Sequence, residues 1–210
     1  MTTKMIVTLL PTNALTPDQS MQLLELLTVS FKDEPAMRAL EPADAVLRYV
    51  ITKWVSAKRL YMNAPHSYCH LVDGRVVAHG MVTPPGDITP SLWQMFWSGF
   101  IFAPLYIGWP AFSRLRQLMG TPLSSPVETT AYKLQALVVD PEYRGKGLGT
   151  AFLKALLHEK FPSGAKVVLF TQVDRNVTFY ERNGFHVCSV ATTKIENFEF
   201  SNWIMQAPTA

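Results

Sequence analysis

The spacing of apolar residues along the chain switches between the period of a helix and that of a strand. Residues 5–10 form a short apolar run read as a first strand. Thr16, Pro17 and Gln19 then make a helix start, with Thr16 as N-cap, Pro17 at the first helical position and Gln19 closing a capping box. That helix is predicted to run to about Phe31. A second begins near Pro42 and ends near Arg59, because Val46, Leu47, Val50, Ile51, Trp54 and Val55 recur on one helical face with Arg48, Lys53 and Lys58 between them. The period then changes to two. Residues 67–72 and 75–83 are β-rich runs joined by Asp73-Gly74, a pair suited to a tight hairpin turn with positive φ.

Residues 84–126 contain seven prolines and read as an irregular insertion. Residues 133–139 form the next strand, ended by Asp140-Pro141. Leu148, Ala151, Phe152, Ala155 and Leu156 repeat at helical spacing over about 147–159. A strand at 166–171 follows, then a helix over 175–183 with Asp174 as N-cap and Gly184 as a left-handed stop. Residues 185–193 and 197–205 read as two closing strands. The order predicts a mixed α/β fold, with parallel pairing of the strands at 133–139 and 166–171 across their intervening helix.

The chain has 210 residues, which suits one domain spanning 1–210 with an insertion at about 84–126. Its 19 basic and 16 acidic residues leave a net charge of +3, too small and dispersed to suggest a nucleic-acid partner. Cys69 and Cys188 are far apart and lack any metal-ligand spacing, so no metal site is expected and a reducing, cytoplasmic setting is the simpler reading. The N-terminus does not resemble a secretory signal.

Arg144–Gly149, RGKGLG, lies between a strand and a helix, where glycines expose backbone N–H groups to a phosphate. A nucleotide triphosphatase loop would need Gly-Lys-Ser/Thr, which is missing. A dinucleotide fingerprint would need G-x-G-x-x-G and a downstream acid, and neither is present. The spacing R-x-x-G-x-G within LQALVVDPEYRGKGLGTAFLKALL instead resembles the acyl-CoA motif of the GNAT superfamily of N-acetyltransferases. NVTFYERNGF, residues 176–185, resembles a second motif of that family. The resemblance is strong over 132–185, loose in the flanking strands and first helices, and nearly absent over 84–126.

That resemblance implies a GNAT-like central mixed sheet of about seven strands flanked by helices, with an apolar helical insertion before the CoA-binding strand. It also implies acetyl-CoA as cosubstrate. The main chain of Leu137, Val138 and Val139 would pair with the pantetheine arm beside a bulge or splay in the sheet. Arg144, Gly145, Lys146, Gly147, Leu148, Gly149 and Thr150 would hold the pyrophosphate, Asn176 would contact pantetheine, and Tyr180 would protonate the departing thiolate. Tyr180 could instead simply pack its ring on the core.

Gln135 stands where many relatives carry a glutamate, and a glutamine cannot accept a proton near neutral pH. The general base could be His79 or His70 on the hairpin, Asp33 or Glu34 in SFKDEP, or a water relay. Phe31, Glu34, His79 and Gln135 are candidates for acceptor contact. Residues 88–112 carry no charge, but their prolines and glycines cut the run too short for a membrane span. Two short helices at about 91–102 and 110–119 are expected. Trp93, Phe96, Trp97, Phe100 and Tyr106 could line an acceptor pocket, pack as core, or form a dimer or membrane-surface contact.

The function these readings imply is acetyl transfer to a primary amine of a small, partly apolar molecule by direct attack in a ternary complex. The protein would be a monomer or homodimer. Acetylation of a protein or peptide, or a non-catalytic CoA-binding or sensing role, remain as alternatives.

Overall fold

The computed structural model describes residues 6–41, 43–86, 99–120 and 131–208. Among these residues seven strands form one mixed sheet: β1 (Leu10–Pro11), β2 (Ser67–Val72), β3 (Arg75–Thr83), β4 (Tyr132–Val139), β5 (Lys166–Thr171), β6 (His186–Ile195) and β7 (Phe198–Pro208). Their order across the sheet is β1-β2-β3-β4-β5-β7-β6. All pairs are antiparallel except β4 with β5. The helices are α1 (Pro17–Phe31), α2 (Pro35–Leu40), α3 (Ala45–Asn63), α4 (Ala103–Ile107), α5 (Trp109–Gly120), α6 (Leu148–Glu159) and α7 (Asp174–Glu181).

The expected mixed sheet is present, and much of it follows from local chemistry. At α1, Thr16 Oγ1 accepts from Gln19 N at 3.2 Å while Gln19 Oε1 accepts from Thr16 N at 3.0 Å, so the capping box forms as the spacing predicts. Asp73 and Gly74 take φ of 51° and 79°, the left-handed pair that closes the β2–β3 hairpin. Gly184, at φ 89°, ends α7, and Phe185 N returns to the Tyr180 carbonyl at 3.1 Å.

Other expectations need correction. The first strand is only Leu10–Pro11, because upstream the Thr8 backbone meets the His70 ring (Nδ1 to O 3.2 Å) rather than a strand ladder. Pro35 opens a short helix, α2, which the sequence reading missed, and α3 starts at Ala45, capped by Asp44 Oδ1 (to Val46 N, 2.8 Å). Val46 and Val50 are 74% and 47% exposed, since α3 turns its Ile51, Thr52 and Ser56 inward instead. Val173, not Asp174, is the N-cap of α7; Asp174 sits in the first turn, where its charge suits the helix dipole. Of the two helices expected in the insertion, the second is α5; residues 91–98 of the first lie outside the described residues, and the chain reaches α4 through a 3₁₀ turn at Phe100–Phe102.

Two apolar layers sandwich the sheet. On one face Phe152, Leu153 and Leu156 of α6 and Tyr180 of α7 pack with Ala78, Val82, Leu134 and Leu169. On the other, Leu23 and Leu27 of α1 pack with Cys69, Val76 and Val138. A third cluster joins α2, α3, α4 and α5 through Leu40, Ile51, Ile107, Ala111 and Leu115. Among the described residues no helix is long and apolar enough to cross a membrane.

Candidate active site

The site begins with a defect in the sheet. Val138 pairs with His79 and Gln135 with Met81, so Ala136 and Leu137 together oppose the single residue Gly80. This β-bulge places Ala136 at φ 50°, a left-handed conformation that costs a non-glycine residue about 1–2 kcal/mol. His79 Nδ1 donates to the Ala136 carbonyl at 3.1 Å and helps hold the kink. On its other side β4 pairs with β5 only from Tyr132 to Leu134, against Val167 to Leu169. Beyond Leu134 the two strands part and leave Leu137–Val139 bonded on one side only.

Two cavities open along this parting. One, of about 430 Å³, runs from Leu137, Val138 and Val139 to the glycine loop, Arg175 and Phe179. The other, of about 650 Å³, lies among α1, α2, α3, α5 and the ends of β4 and β5. Phe31, Glu34, Leu137, Asn176 and Tyr180 belong to both walls, so the cavities meet at these side chains.

The loop has the geometry of an anion cradle. Arg75 bridges Asp140 and Glu142, each at 2.8 Å, and Asp140 Oδ1 accepts from Glu142 N at 2.9 Å, which anchors the turn after β4. Gly145 and Gly147 take φ of 72° and 83°, conformations other residues rarely adopt. Gly147 is the N-cap of α6 and offers no side chain, so the first N–H groups of that helix are left for a ligand at its positive end. Arg144, Gly145, Gly147, Gly149 and Thr150 line the smaller cavity. A Cβ at Gly149 would lie 3.4 Å from Phe179 and 3.5 Å from Val139, narrowing the wall. Arg144 Nε donates to the Val139 carbonyl at 2.8 Å. Lys146 and Leu148 stand outside this wall: Lys146 Nζ sits 5.7 Å over the Tyr143 ring and Leu148 is 1% exposed in the core. These residues therefore fit the diphosphate and amide-bearing arm of a CoA thioester, with charge from Arg144 and Arg175 and an unpaired strand edge beside them.

Where the cavities meet, two titratable groups are shifted in the same direction. Burial pushes the Glu34 carboxyl up to about 7, against the pull of Arg175 and Arg59. Among the described residues that carboxylate makes no hydrogen bond or ion pair, and Glu34 leaves α2 uncapped. Burial, and then the Glu34 charge, hold the Tyr180 hydroxyl well above its ordinary value, so it stays protonated near neutral pH. The Tyr180 ring is locked edge-on between Phe179 (5.2 Å) and Phe185 (5.6 Å), so it packs with the core while still lining both cavities. Asn176 Nδ2 donates to Thr171 Oγ1 at 3.2 Å.

The other candidate bases lie elsewhere. Asp33 is 58% exposed and pairs with Lys32 and with Arg48 at 3.4 Å, facing solvent. His70 is held by Thr8 on the far hairpin strand. His79 lines neither cavity; burial lowers its pKa to about 4, so it is neutral and serves the bulge. Gln135 does line the larger cavity, with its Oε1 accepting from Arg59 Nη2 at 2.7 Å.

Arg59 was missed in the sequence because it follows Lys58 near a helix end and reads as solvated. Thr52, Ser56 and Arg59 in fact form a polar row at i, i+4 and i+7 facing the cavity. A hydrogen-bonded chain was missed too: Ala36 N to Gln172 Oε1 (3.0 Å), Gln172 Nε2 to Asn202 Oδ1 (2.9 Å) and Asn202 Nδ2 to Thr193 Oγ1 (2.7 Å). The insertion reaches the cavity through Leu115 and Leu118 of α5. Tyr106 is instead 63% exposed and stacks on Trp54 at 6.3 Å. Trp93, Phe96 and Trp97 lie outside the described residues, as does the side chain of Phe100.

Comparison with known proteins agrees with this geometry. Residues 114–187 match the family model described as an acetyltransferase (GNAT) domain. Similar solved structures include one described as a histone acetyltransferase HPA2 and related acetyltransferase from Corynebacterium glutamicum, at TM-score 0.70, 15% identity and 98% coverage of both chains. The polyamine N-acetyltransferase of Drosophila melanogaster matches at TM-score 0.64 and 15% identity, over 97% of this chain and 100% of that one. An agmatine N-acetyltransferase variant in its apo form matches at TM-score 0.62 and 15% identity, over 97% and 98%. No curated protein matches the sequence. The splayed sheet and the glycine loop thus lie within a fold shared with these acetyltransferase structures, and residues 114–187 carry the match to the GNAT domain.

Proposed function

We propose that the protein transfers the acetyl group of acetyl-CoA to the primary amine of a small, partly apolar molecule, by direct attack within a ternary complex. The observation that carries this is the meeting of two cavities at Glu34 and Tyr180, a proton acceptor and a proton donor on a shared wall. The smaller cavity would hold CoA on the loop donors, Arg144, Arg175 and the free edge of β4. The larger would hold the acceptor against Leu27, Met37, Leu115 and Leu118.

In this reading Glu34 takes a proton from the acceptor ammonium, directly or through water, and frees its lone pair. The new N–C bond forms at the acetyl carbonyl as the thioester C–S bond breaks. Tyr180 donates its phenolic proton to the departing sulfur, and the second proton given up by the acylated nitrogen passes through water to restore it. The products are an acetamide and free CoA. Positioning and matched proton transfer account for the rate, without a covalent enzyme intermediate.

The similar polyamine and agmatine enzymes support an amine as the acceptor class. Gln135 at the strand position is the feature that favours a CoA-binding module without activity, but Glu34 supplies a titratable carboxylate at the junction itself. Incubation with acetyl-CoA and a panel of amines, following free thiol, tests the proposal. Acceptor-dependent thiol release is expected; tight CoA binding with no release from any amine would establish the binding module instead.

A further inference from the structure

We propose that the acceptor is an amino acid with an apolar side chain, its carboxylate held by Arg59. This rests on the acetyltransferase reading above and names the substrate class of the same site. Among the described residues the charged ones lining the acceptor cavity are Glu34, Arg59 and Lys133, two cations against one acid. An acceptor carrying a second cation, such as a polyamine, meets the wrong sign there.

Among the described residues Arg59 is the group left without an anion. Its side chain lies deep enough in the protein for burial to pull its pKa down, yet a guanidinium stays charged. Its hydrogen-bonding partner among the described residues is the neutral Gln135 amide, reached by Nη2 at 2.7 Å, and no carboxylate there lies within ion-pair distance. A guanidinium presents five N–H donors, so most of its fork remains available, and a half-buried cation without a counter-charge is costly. Glu34 acts on Arg59 through space only, and with a pKa of about 7 it is itself half protonated near neutral pH.

The amide at Gln135 now has a physical reason. A glutamate there would sit against Arg59 and neutralise it, closing the anion site; a glutamine orients the guanidinium and leaves its charge to the ligand. An α-amino acid satisfies the three sets of wall chemistry together. Its carboxylate meets Arg59, its amine faces the Glu34–Tyr180 junction, and its side chain lies against Met37, Val55, Leu115 and Leu118. The transfer balances as above, and the carboxylate is unchanged by it.

The test compares leucine, methionine and phenylalanine with their decarboxylated amines and with spermidine, using the full chain, acetyl-CoA and thiol release. Rates are expressed per free amine so that acceptor basicity does not enter. The amino acids should exceed their decarboxylated partners in kcat/KM by about 10- to 100-fold, the range for a hydrogen bond to a charged group. Arg59→Gln should bring that ratio to within about threefold of one. Gln135→Glu, which keeps Arg59 but places an acid beside it, should raise KM for the amino acids more than for the amines. Equal or better use of the decarboxylated amines or spermidine by the wild-type protein overturns the proposal without any variant, as does an unchanged ratio in folded Arg59→Gln. Thiol release from none of the acceptors would overturn this proposal and the acetyltransferase reading together, whereas release without preference overturns this one alone.

Discussion

Replacing Glu34 with glutamine should lower activity and raise stability at once, with both effects depending on pH. A carboxyl that titrates at about 7 is roughly one-tenth ionised at pH 6 and nine-tenths at pH 8. If Glu34 is the base, wild-type kcat/KM should rise about tenfold between those values on this account, and Glu34→Gln should lose that limb and about 10²- to 10⁴-fold of the rate at pH 8. The stability effect has the opposite sign. The folded value lies above the ordinary 4.5, so the ionised form penalises the native state. That penalty is absent below pH 4.5, grows as pH rises towards 7 and is constant above. Its full size is roughly 3 kcal/mol, an upper bound because the carboxylate opens onto a cavity where water screens it. The variant should therefore be more stable than wild type at pH 8, with only about a quarter of that difference left at pH 5. His79 has the reverse slope, since its folded value of about 4 lies below 6.5 and its contribution is lost on acidification, but it is common to both proteins and cancels in the difference. Urea unfolding at the two pH values and steady-state thiol release over pH 5.5–9 give both readouts. A variant within about threefold of wild-type kcat/KM at pH 8, retaining the same pH limb, would refute Glu34 as the base.

Three further changes probe other parts of the site. Tyr180→Phe keeps the edge-on ring packing, so turnover should fall about 100-fold while acetyl-CoA affinity by calorimetry stays within about twofold; unchanged turnover would remove the hydroxyl from the reaction. Gly80→Ala would place a Cβ 2.7 Å from Leu156 Cδ1 and 3.3 Å from both Leu137 and Phe152, and the crowding should cost about 1–3 kcal/mol in urea unfolding. A loss under about 0.5 kcal/mol would show that the bulge can shift to admit it. Gly147→Ala meets nothing within 4 Å but forces alanine to φ 83°, so it should cost about 1–2 kcal/mol and raise KM for acetyl-CoA several-fold with kcat little changed. Equal KM values would mean that the loop conformation is not what holds CoA.

The parts of this protein that the sequence by itself determined are those whose physics is local. The Thr16–Gln19 capping box, the Asp73-Gly74 turn, the glycine stop at 184 and the strand at Lys166–Thr171 each depend on residues a few positions apart, whose preferences survive any packing. The glycine loop is local in the same way, since its place between β4 and α6 and its positive-φ glycines depend on neighbouring residues alone. The rest of the site needed the tertiary structure. Glu34 opens a short helix, Arg59 lies near the end of another and Tyr180 is on a third, and it is only folding that brings the Glu34 charge to bear on the other two. Arg59 and Gln135 are 76 residues apart, yet a hydrogen bond joins them on the wall of the larger cavity. His79 looked as eligible a base as Glu34 until cross-strand register turned it onto the bulge, and Val46 and Val50 looked like core until α3 docked with its Thr52–Ser56–Arg59 row inward. Desolvation and register are properties of how elements pack together, so no window along the chain contains them.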